Sequence, residues 1–279
     1  MSRSSRPQSA SACLRKRCDS LLVLILLLGA LVAGLVGAYV ISHDPFHALS
    51  SGGTPGFAVT LHHRRSQLLA FGAGAAVFAG GWLCLGLLGY LMRGDSTVAR
   101  IDSSIARWAD RHSSHFSESA LTLVTTLGTN LAVATFVVAL LAFDWFRRRN
   151  ARVIVFLVVV VLGNTLITRF VKGLMDRARP AFNPVADTLG PSFPSGHSSL
   201  AAAFFAGAAL LLSRERSKPA TAVIGGAGIA LAVAVGISRV FLDVHWASDV
   251  IAGLALGWAW FAFCAIAFGS IPRRAVAAH

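Results

Sequence analysis

The sequence predicts an all-α, polytopic membrane helical bundle, a six-helix core preceded by one extra N-terminal hydrophobic segment. Three observations carry that reading. The 279 residues are 55% hydrophobic and only 13% charged, with a mean hydropathy of +0.67, far from the balance of a soluble domain. The apolar residues gather into runs of about 20, the length of helix that crosses a hydrocarbon core of roughly 30 Å. Those runs are continuous rather than alternating, so a transmembrane barrel is excluded, and in lipid the helix is then the structure that satisfies every backbone polar group.

The runs are Leu21 to Ile41, Gln67 to Met92, Leu121 to Trp145, Val153 to Lys172, Ser195 to Ser213, Ala220 to Ile237 and Asp249 to Phe268. The first belongs to a basic N-terminal region, residues 1–65, with Arg3, Arg6, Arg15, Lys16 and Arg17 ahead of it. Its leucine-rich middle followed by Gly37 and Ala38 also resembles a signal sequence. The six remaining runs make up the expected core, residues 66–271, and residues 272–279 form a short tail. Glycine and alanine are frequent in Ala70 to Gly81 and Gly225 to Gly236, which lets neighbouring helices approach closely. Cys84 and Cys264 lie inside runs and read as small apolar residues. Cys13 and Cys18 flank a basic cluster, a position that is a poor lipidation signal by itself.

The formal net charge of +13 does not indicate nucleic acid. The lysines and arginines sit in short loops between runs rather than in one stripe with interleaved aromatics, so topology and anionic lipid headgroups explain them better. Arg147, Arg148, Arg149 and Arg152 join the third and fourth runs, Arg214, Arg216 and Lys218 the fifth and sixth, and Arg273 and Arg274 follow the last. These connections are therefore expected on the cytoplasmic side, with Arg64 and Arg65 marking the start of the core there. The first run breaks the parity of this scheme, since its basic start also argues for the inside; it is expected to be an accessory or re-entrant element.

Between the second and third runs, Arg93 to Glu118 is polar, with Ile101, Ile105, Ala106 and Trp108 at helical spacing. A short amphipathic helix at the outer interface is expected, with a solvated loop as the alternative. Thr125, Thr126, Thr129 and Asn130 are expected to bond between helices.

Chemistry-bearing residues collect at the other ends of the runs. Lys172 and Arg179 are seven apart, nearly two turns, so they share a face if the helix continues to Pro180. Taken singly, either could simply reach for headgroups. Ser195 stands where it would cap the next helix, with Gly196 and His197 following; a helix N-terminus presents free N–H groups to an anion. Ser238 and Arg239 close the sixth run, and Arg239 offers a planar fork matched to phosphate oxygens. His245 and Asp249 are four apart. The carboxylate would accept one ring N–H and leave the other nitrogen as a free nucleophile. Both connections bearing these residues fall on the extracytoplasmic side.

Lys172, Arg179 and Pro180, then Pro194 to His197, then Ser238 and Arg239 with His245 and Asp249 resemble the three signature motifs of the type 2 phosphatidic acid phosphatase (PAP2) superfamily. The resemblance covers roughly Gln67 to Phe268. It implies a six-helix phosphatase core and a bacterial-type lipid phosphate phosphatase of the plasma membrane. Its substrate would be a phosphorylated lipid such as phosphatidate, phosphatidylglycerol phosphate or a polyprenyl pyrophosphate, hydrolysed without metal or other cofactor. By position, His245 would take the phosphoryl group, Asp249 orient it and His197 protonate the leaving oxygen, while Lys172, Arg179, Ser195, Gly196 and Arg239 bind the phosphate. Asp243 and Ala247 depart from the pattern, standing where many relatives carry a small residue and a proline. Asp243 could bias headgroup choice, though a turn residue explains it as well.

Two other activities fit parts of this pattern. A phosphotransferase would use the same phosphohistidine and pass the group to an acceptor hydroxyl. A noncatalytic lipid or anion transporter would need the cations but has no evident need for His245 paired with Asp249 and opposed by His197.

Overall fold

The computed structural model of the protein describes residues 97–113, 115–148, 151–180, 190–214 and 216–269, with six positions between 80 and 89. The expectations for Leu21 to Ile41, for most of Gln67 to Met92, for Cys13, Cys18 and Cys84, and for Arg64, Arg65, Arg149, Arg273 and Arg274 lie outside the described residues. Seven helices are described in order: α1 Thr97–His112, α2 His115–Thr126, α3 Asn130–Arg148, α4 Ala151–Met175, α5 Gly196–Leu212, α6 Lys218–Phe241 and α7 Ala247–Gly269. Among the described residues there is no strand.

α4, α6 and most of α3 and α7 are long and apolar enough to cross a membrane. Their outward faces carry side chains such as Leu131, Phe146, Leu166 and Val223, between 66% and 86% exposed; in a bilayer this belt meets lipid rather than water. α5 is the exception in length and position. It has 17 residues, 13 of them buried, because it is the central helix, enclosed by α3, α4, α6 and α7. Its alanines allow that enclosure, with Ala201, Ala202 and Ala203 fully buried. The contact with α7 is close: a Cβ on Gly253 would lie 2.5 Å from the Ser195 carbonyl oxygen, and one on Gly257 would meet the Ser199 carbonyl oxygen closer still. Glycine there lets the two backbones touch, as small residues do between membrane helices. Cys264 is buried and free, in keeping with a small apolar residue.

The helices alternate, so α4 ends, α5 begins, α6 ends and α7 begins at one end of the bundle. The basic connections gather at the opposite end, where Arg214 Nη1 lies 3.8 Å from Asp144 Oδ1.

Two element boundaries differ from expectation. The expected span from Leu121 to Trp145 is two helices, since α2 stops at Thr126 and α3 starts at Asn130. The Leu127, Gly128 and Thr129 amides bond three residues back, to Val124, Thr125 and Thr126, which tightens the chain into a turn, and Thr129 Oγ1 then accepts the Ala132 amide. Gly128 is the pivot, for a Cβ there would lie 2.5 Å from Val235 Cγ1 and 3.2 Å from the His197 carbonyl oxygen. Of the four polar residues expected to bond between helices, Thr125 does so. Thr126 and Thr129 bond to backbone carbonyls three residues back, and Asn130 borders a cavity.

The second difference is the end of α4. The helix does not run on to Pro180 but stops at Met175, where Asp176 takes a positive φ of 26°. Residues 176–180 then cross the end of the bundle without helical structure. The segment is held there because the Ser192 amide donates to the Arg177 carbonyl at 2.7 Å and Trp246 Nε1 donates to the Ala178 carbonyl at 2.9 Å.

α1 is the expected amphipathic helix, with a different division of faces. Ile101, Ile105 and Trp108 point outward, whereas Ala106 is buried with Val98, Asp102 and Ala109. The helix packs on α6 and α7, and Trp108 meets Phe241 edge to face at 5.5 Å. A helix with an apolar outer face and a carboxylate on its buried face suits a membrane interface above a polar site.

Candidate active site

The polar site is built where α4 ends, α5 and α7 begin and α6 ends. Ser195 caps α5, its side chain accepting the Ser198 amide and the Ser198 hydroxyl at 2.8 Å. Its own amide donates to the Asp249 carbonyl at 2.9 Å, which ties the start of α5 to the start of α7. A Cβ on Gly196 would meet Lys172 Cε only at 4.0 Å, so the space over the α5 N-terminus is open beside that lysine. Ser238 is buried, its hydroxyl spent on the Val235 carbonyl at 2.7 Å.

His245 precedes α7, and its Nδ1 lies 3.4 Å from Asp249 Oδ2. The second carboxylate oxygen, Oδ1, receives Arg177 Nη1 at 2.5 Å, and Oδ2 also accepts the Trp246 amide at 3.0 Å. Asp249 is fully buried, so these donors hold its plane and leave the Nδ1 proton of His245 pointing at Oδ2. His245 Nε2 then carries the lone pair, and it faces Arg179 Nη1 at 3.2 Å. Burial pushes the His245 pKa down to about 4 against the pull of Asp249. The ring is therefore neutral at neutral pH, the form in which it is a nucleophile.

The cations come from three elements. Lys172 Nζ on α4 donates to the Pro191 carbonyl at 2.6 Å and stands within electrostatic reach of Arg179, Asp249 and Arg239. Arg179 bonds the Gly190 and Val244 carbonyls at 2.8 and 2.6 Å, which aims its fork across the site. Burial draws its pKa below the ordinary value, opposed by the nearby Asp249. Arg239 on α6 is buried and donates from Nη1 to Thr125 Oγ1 at 2.9 Å. Its Nε has no partner among the described residues. His197, in the first turn of α5, interacts electrostatically with Arg239, His245, Lys172 and Arg179. All eight residues singled out from the sequence thus lie around one end of α5: Lys172, Arg179, Ser195, Gly196, His197, Arg239, His245 and Asp249.

Arg177 and Asp102 belong to this site and were missed. Arg177 binds Asp249 with one arm and Asp102 Oδ2 with the other, at 2.8 Å, and it lies over the Trp246 ring at 5.5 Å. Asp102, buried on α1, also accepts the Ser248 amide at 3.0 Å and the Ser248 hydroxyl. A continuous chain of charge-assisted bonds therefore runs from α1 to the imidazole. The sequence signal was slight, a third cation between Lys172 and Arg179. Asp102 gave none, because it sits in a helix whose other polar residues face outward. Asp243 takes a left-handed φ of 54° and its amide donates to the Val240 carbonyl at 3.0 Å. It is a turn residue, as the preference of Asp for such positions suggests, though a buried one.

Fold and site together define an integral membrane helical bundle with a cationic cluster and a His–Asp pair at one end. Residues 153–271 match the PAP2 superfamily. Phosphatidylglycerophosphatase B of Bacillus subtilis (strain 168) is 31% identical over 168 residues, 58% of this chain and 80% of that one. A lipid A 1-phosphatase of Rhizobium johnstonii is 40% identical over 116 residues, 38% of this chain and 43% of its own length. The crystal structure of the first transmembrane PAP2 type phosphatidylglycerolphosphate phosphatase from Bacillus subtilis superposes with a TM-score of 0.62 at 27% identity, covering 66% of this chain and 92% of that one. The chain belongs to the PAP2 superfamily.

Proposed function

We propose that the protein hydrolyses the terminal phosphate of a membrane lipid through a phosphohistidine on His245, without a metal ion. The observation that carries this reading is the His245 ring itself, with Nδ1 on Asp249 at 3.4 Å and Nε2 beside Arg179 at 3.2 Å. A transporter would need a cationic site but not a buried imidazole held with its lone pair beside a cation. The names of the relatives, a phosphatidylglycerophosphatase and lipid A 1-phosphatases, support a lipid phosphate as the substrate class.

In the first step the Nε2 lone pair attacks phosphorus while the bond from phosphorus to the lipid oxygen breaks. His197 supplies a proton to that oxygen, and the lipid leaves as an alcohol or as a shorter phosphate. The imidazole becomes a cation through its new P–N bond, and Asp249 balances that charge through the Nδ1 proton. In the second step water attacks phosphorus, His197 takes back a proton, and the P–N bond breaks to release inorganic phosphate. Lys172, Arg179 and Arg239, with the Gly196 amide and the Ser195 cap, neutralise and position the equatorial oxygens, which is most of what phosphoryl transfer requires. Three fixed cations supply the charge that a divalent ion supplies elsewhere.

The site belongs on the extracytoplasmic face of the plasma membrane, because the basic connections that mark a cytoplasmic side lie at the other end of the bundle. The test is release of inorganic phosphate in detergent, with chelator present, from phosphatidate, phosphatidylglycerol phosphate and a polyprenyl diphosphate. Wild type is expected to release it from at least one lipid, and His245→Ala from none. Equal release by the variant would sink the proposal, and dependence on added divalent metal would sink its metal-free form.

A further inference from the structure

A cavity of about 390 Å³ opens beside Lys172 and His197, between the α2–α3 turn, α4 and α5. His245, Arg179 and Arg239 do not line it, so it extends from the His197 side of the site, away from the nucleophile. In phosphoryl transfer the entering and leaving atoms lie roughly in line across phosphorus. With His245 attacking from one side, the leaving group departs into this cavity.

Its walls are donors. Arg169 lines it one turn before Lys172 on the same helix. Among the described residues Arg169 has neither a hydrogen bond nor an ion pair, and no carboxylate lines the cavity. Asn164, only 1% exposed, also lines it; its Oδ1 accepts the Ser199 hydroxyl at 2.8 Å, while its Nδ2 has no partner among the described residues. A buried amide without an acceptor is destabilising, and the exposed guanidinium of Arg169, near the Met175 end of the α4 span, is retained there at a cost unless an anion meets it. Thr129 and Thr165 line the same wall, but their hydroxyls are spent on the Thr126 and Val161 carbonyls, so Arg169 and Asn164 supply the donors left over. A ligand that satisfies these groups is anionic and rich in acceptors.

The geometry points to a leaving group that carries a second phosphate, held by Arg169 and Asn164 while the terminal phosphate sits on Lys172, Arg179 and Arg239. This rests on the phosphatase reading above and narrows its substrate class. Two lipids present that chemistry, a polyprenyl diphosphate, whose second phosphate adjoins the scissile one, and phosphatidylglycerol phosphate, whose phosphodiester lies a glycerol away. Phosphatidate, with a neutral diacylglycerol leaving group, does not.

The experiment compares kcat/KM of the full-length protein and its Arg169→Gln variant on those three lipids in mixed micelles. A charge-assisted contact to one substrate class predicts a loss roughly tenfold to a hundredfold larger on the doubly phosphorylated lipids than on phosphatidate. Arg169→Lys, which keeps the charge and loses the fork, is expected to recover part of that difference. Whichever of the two doubly phosphorylated lipids suffers the larger loss identifies the source of the second phosphate. Equal losses on all three lipids, as a misfolded or merely headgroup-anchoring arginine would give, overturn the inference, and so does an unchanged variant. Failure of wild type to release phosphate from any lipid overturns the phosphatase reading instead.

Discussion

Arg179 Nη1 stands 3.2 Å from His245 Nε2, so a guanidinium faces the one nitrogen that Asp249 leaves without a proton. Burial and, to a lesser degree, this cation keep that nitrogen from accepting a proton, and in the proposed mechanism the cation lies where the oxygens of an incoming phosphate would sit. In that mechanism, nucleophile and charge stabiliser are thus prepared by one contact before substrate arrives.

That arrangement fixes the pH response. The His245 pKa is depressed to about 4 by burial, so the base form that the proposed mechanism requires exists above that value and is lost below it. The acid limb of kcat/KM is expected well below about 6.5, the ordinary imidazole value. A pH profile on a lipid whose own phosphate ionisation is measured separately checks this, and a limb at the ordinary imidazole value contradicts it.

In the proposed mechanism Arg177 is a positioning residue, acting on His245 through Asp249. Removing it in Arg177→Gln leaves the carboxylate charge concentrated on His245, so the acid limb moves upward by about one pH unit while kcat falls. Arg177→Lys keeps the charge but not the two-armed grip on Asp102 and Asp249, so it is expected to restore the pH profile more than the rate. A loss of active protein with an unmoved limb would show a structural role only.

Thr125 holds the Arg239 guanidinium through Nη1 at 2.9 Å. Thr125→Val keeps the shape and removes the acceptor, leaving a second unpaired nitrogen on a side chain whose Nε already has no partner among the described residues. The expected outcome is weaker product inhibition by inorganic phosphate and a loss in kcat/KM of about tenfold. Unchanged inhibition would place Arg239 outside phosphate binding.

Most of the site was legible in the sequence because each motif is short and sits at the end of an apolar run. His245 and Asp249 are one turn apart, and Ser195 to His197 open a helix, so local rules place them. Arg177 and Asp102 escaped because their contact joins positions 75 residues apart, and no local pattern marks a carboxylate that turns inward from an amphipathic helix. The break at Gly128 escaped for a related reason. Hydropathy continues across it, and only the packing of that glycine against His197 and Val235 makes the turn necessary. The condition under which Lys172 and Arg179 would share a helix face is not met, because the helix ends at Met175, yet Arg179 reaches the site by the nonhelical path that Ser192 and Trp246 hold in place.

The same packing makes Gly253 sensitive. A side chain there would press on the Ser195 carbonyl, whose residue also donates its amide to the Asp249 carbonyl. Gly253→Val is expected to lower stability in detergent by about 1–3 kcal/mol and to reduce kcat beyond the fraction unfolded. A thermal unfolding series with activity measured on the folded fraction tests both, and full activity at unchanged stability would contradict the close approach of α5 and α7.

The central claim is that phosphate passes through His245. Mass spectrometry of protein quenched in alkali during turnover, where a phosphorylated imidazole survives, tests it directly. Wild type quenched during turnover should carry one phosphoryl group on His245, while His245→Ala should carry none and release no phosphate. A phosphoryl group on another residue, or turnover by His245→Ala, would contradict the account.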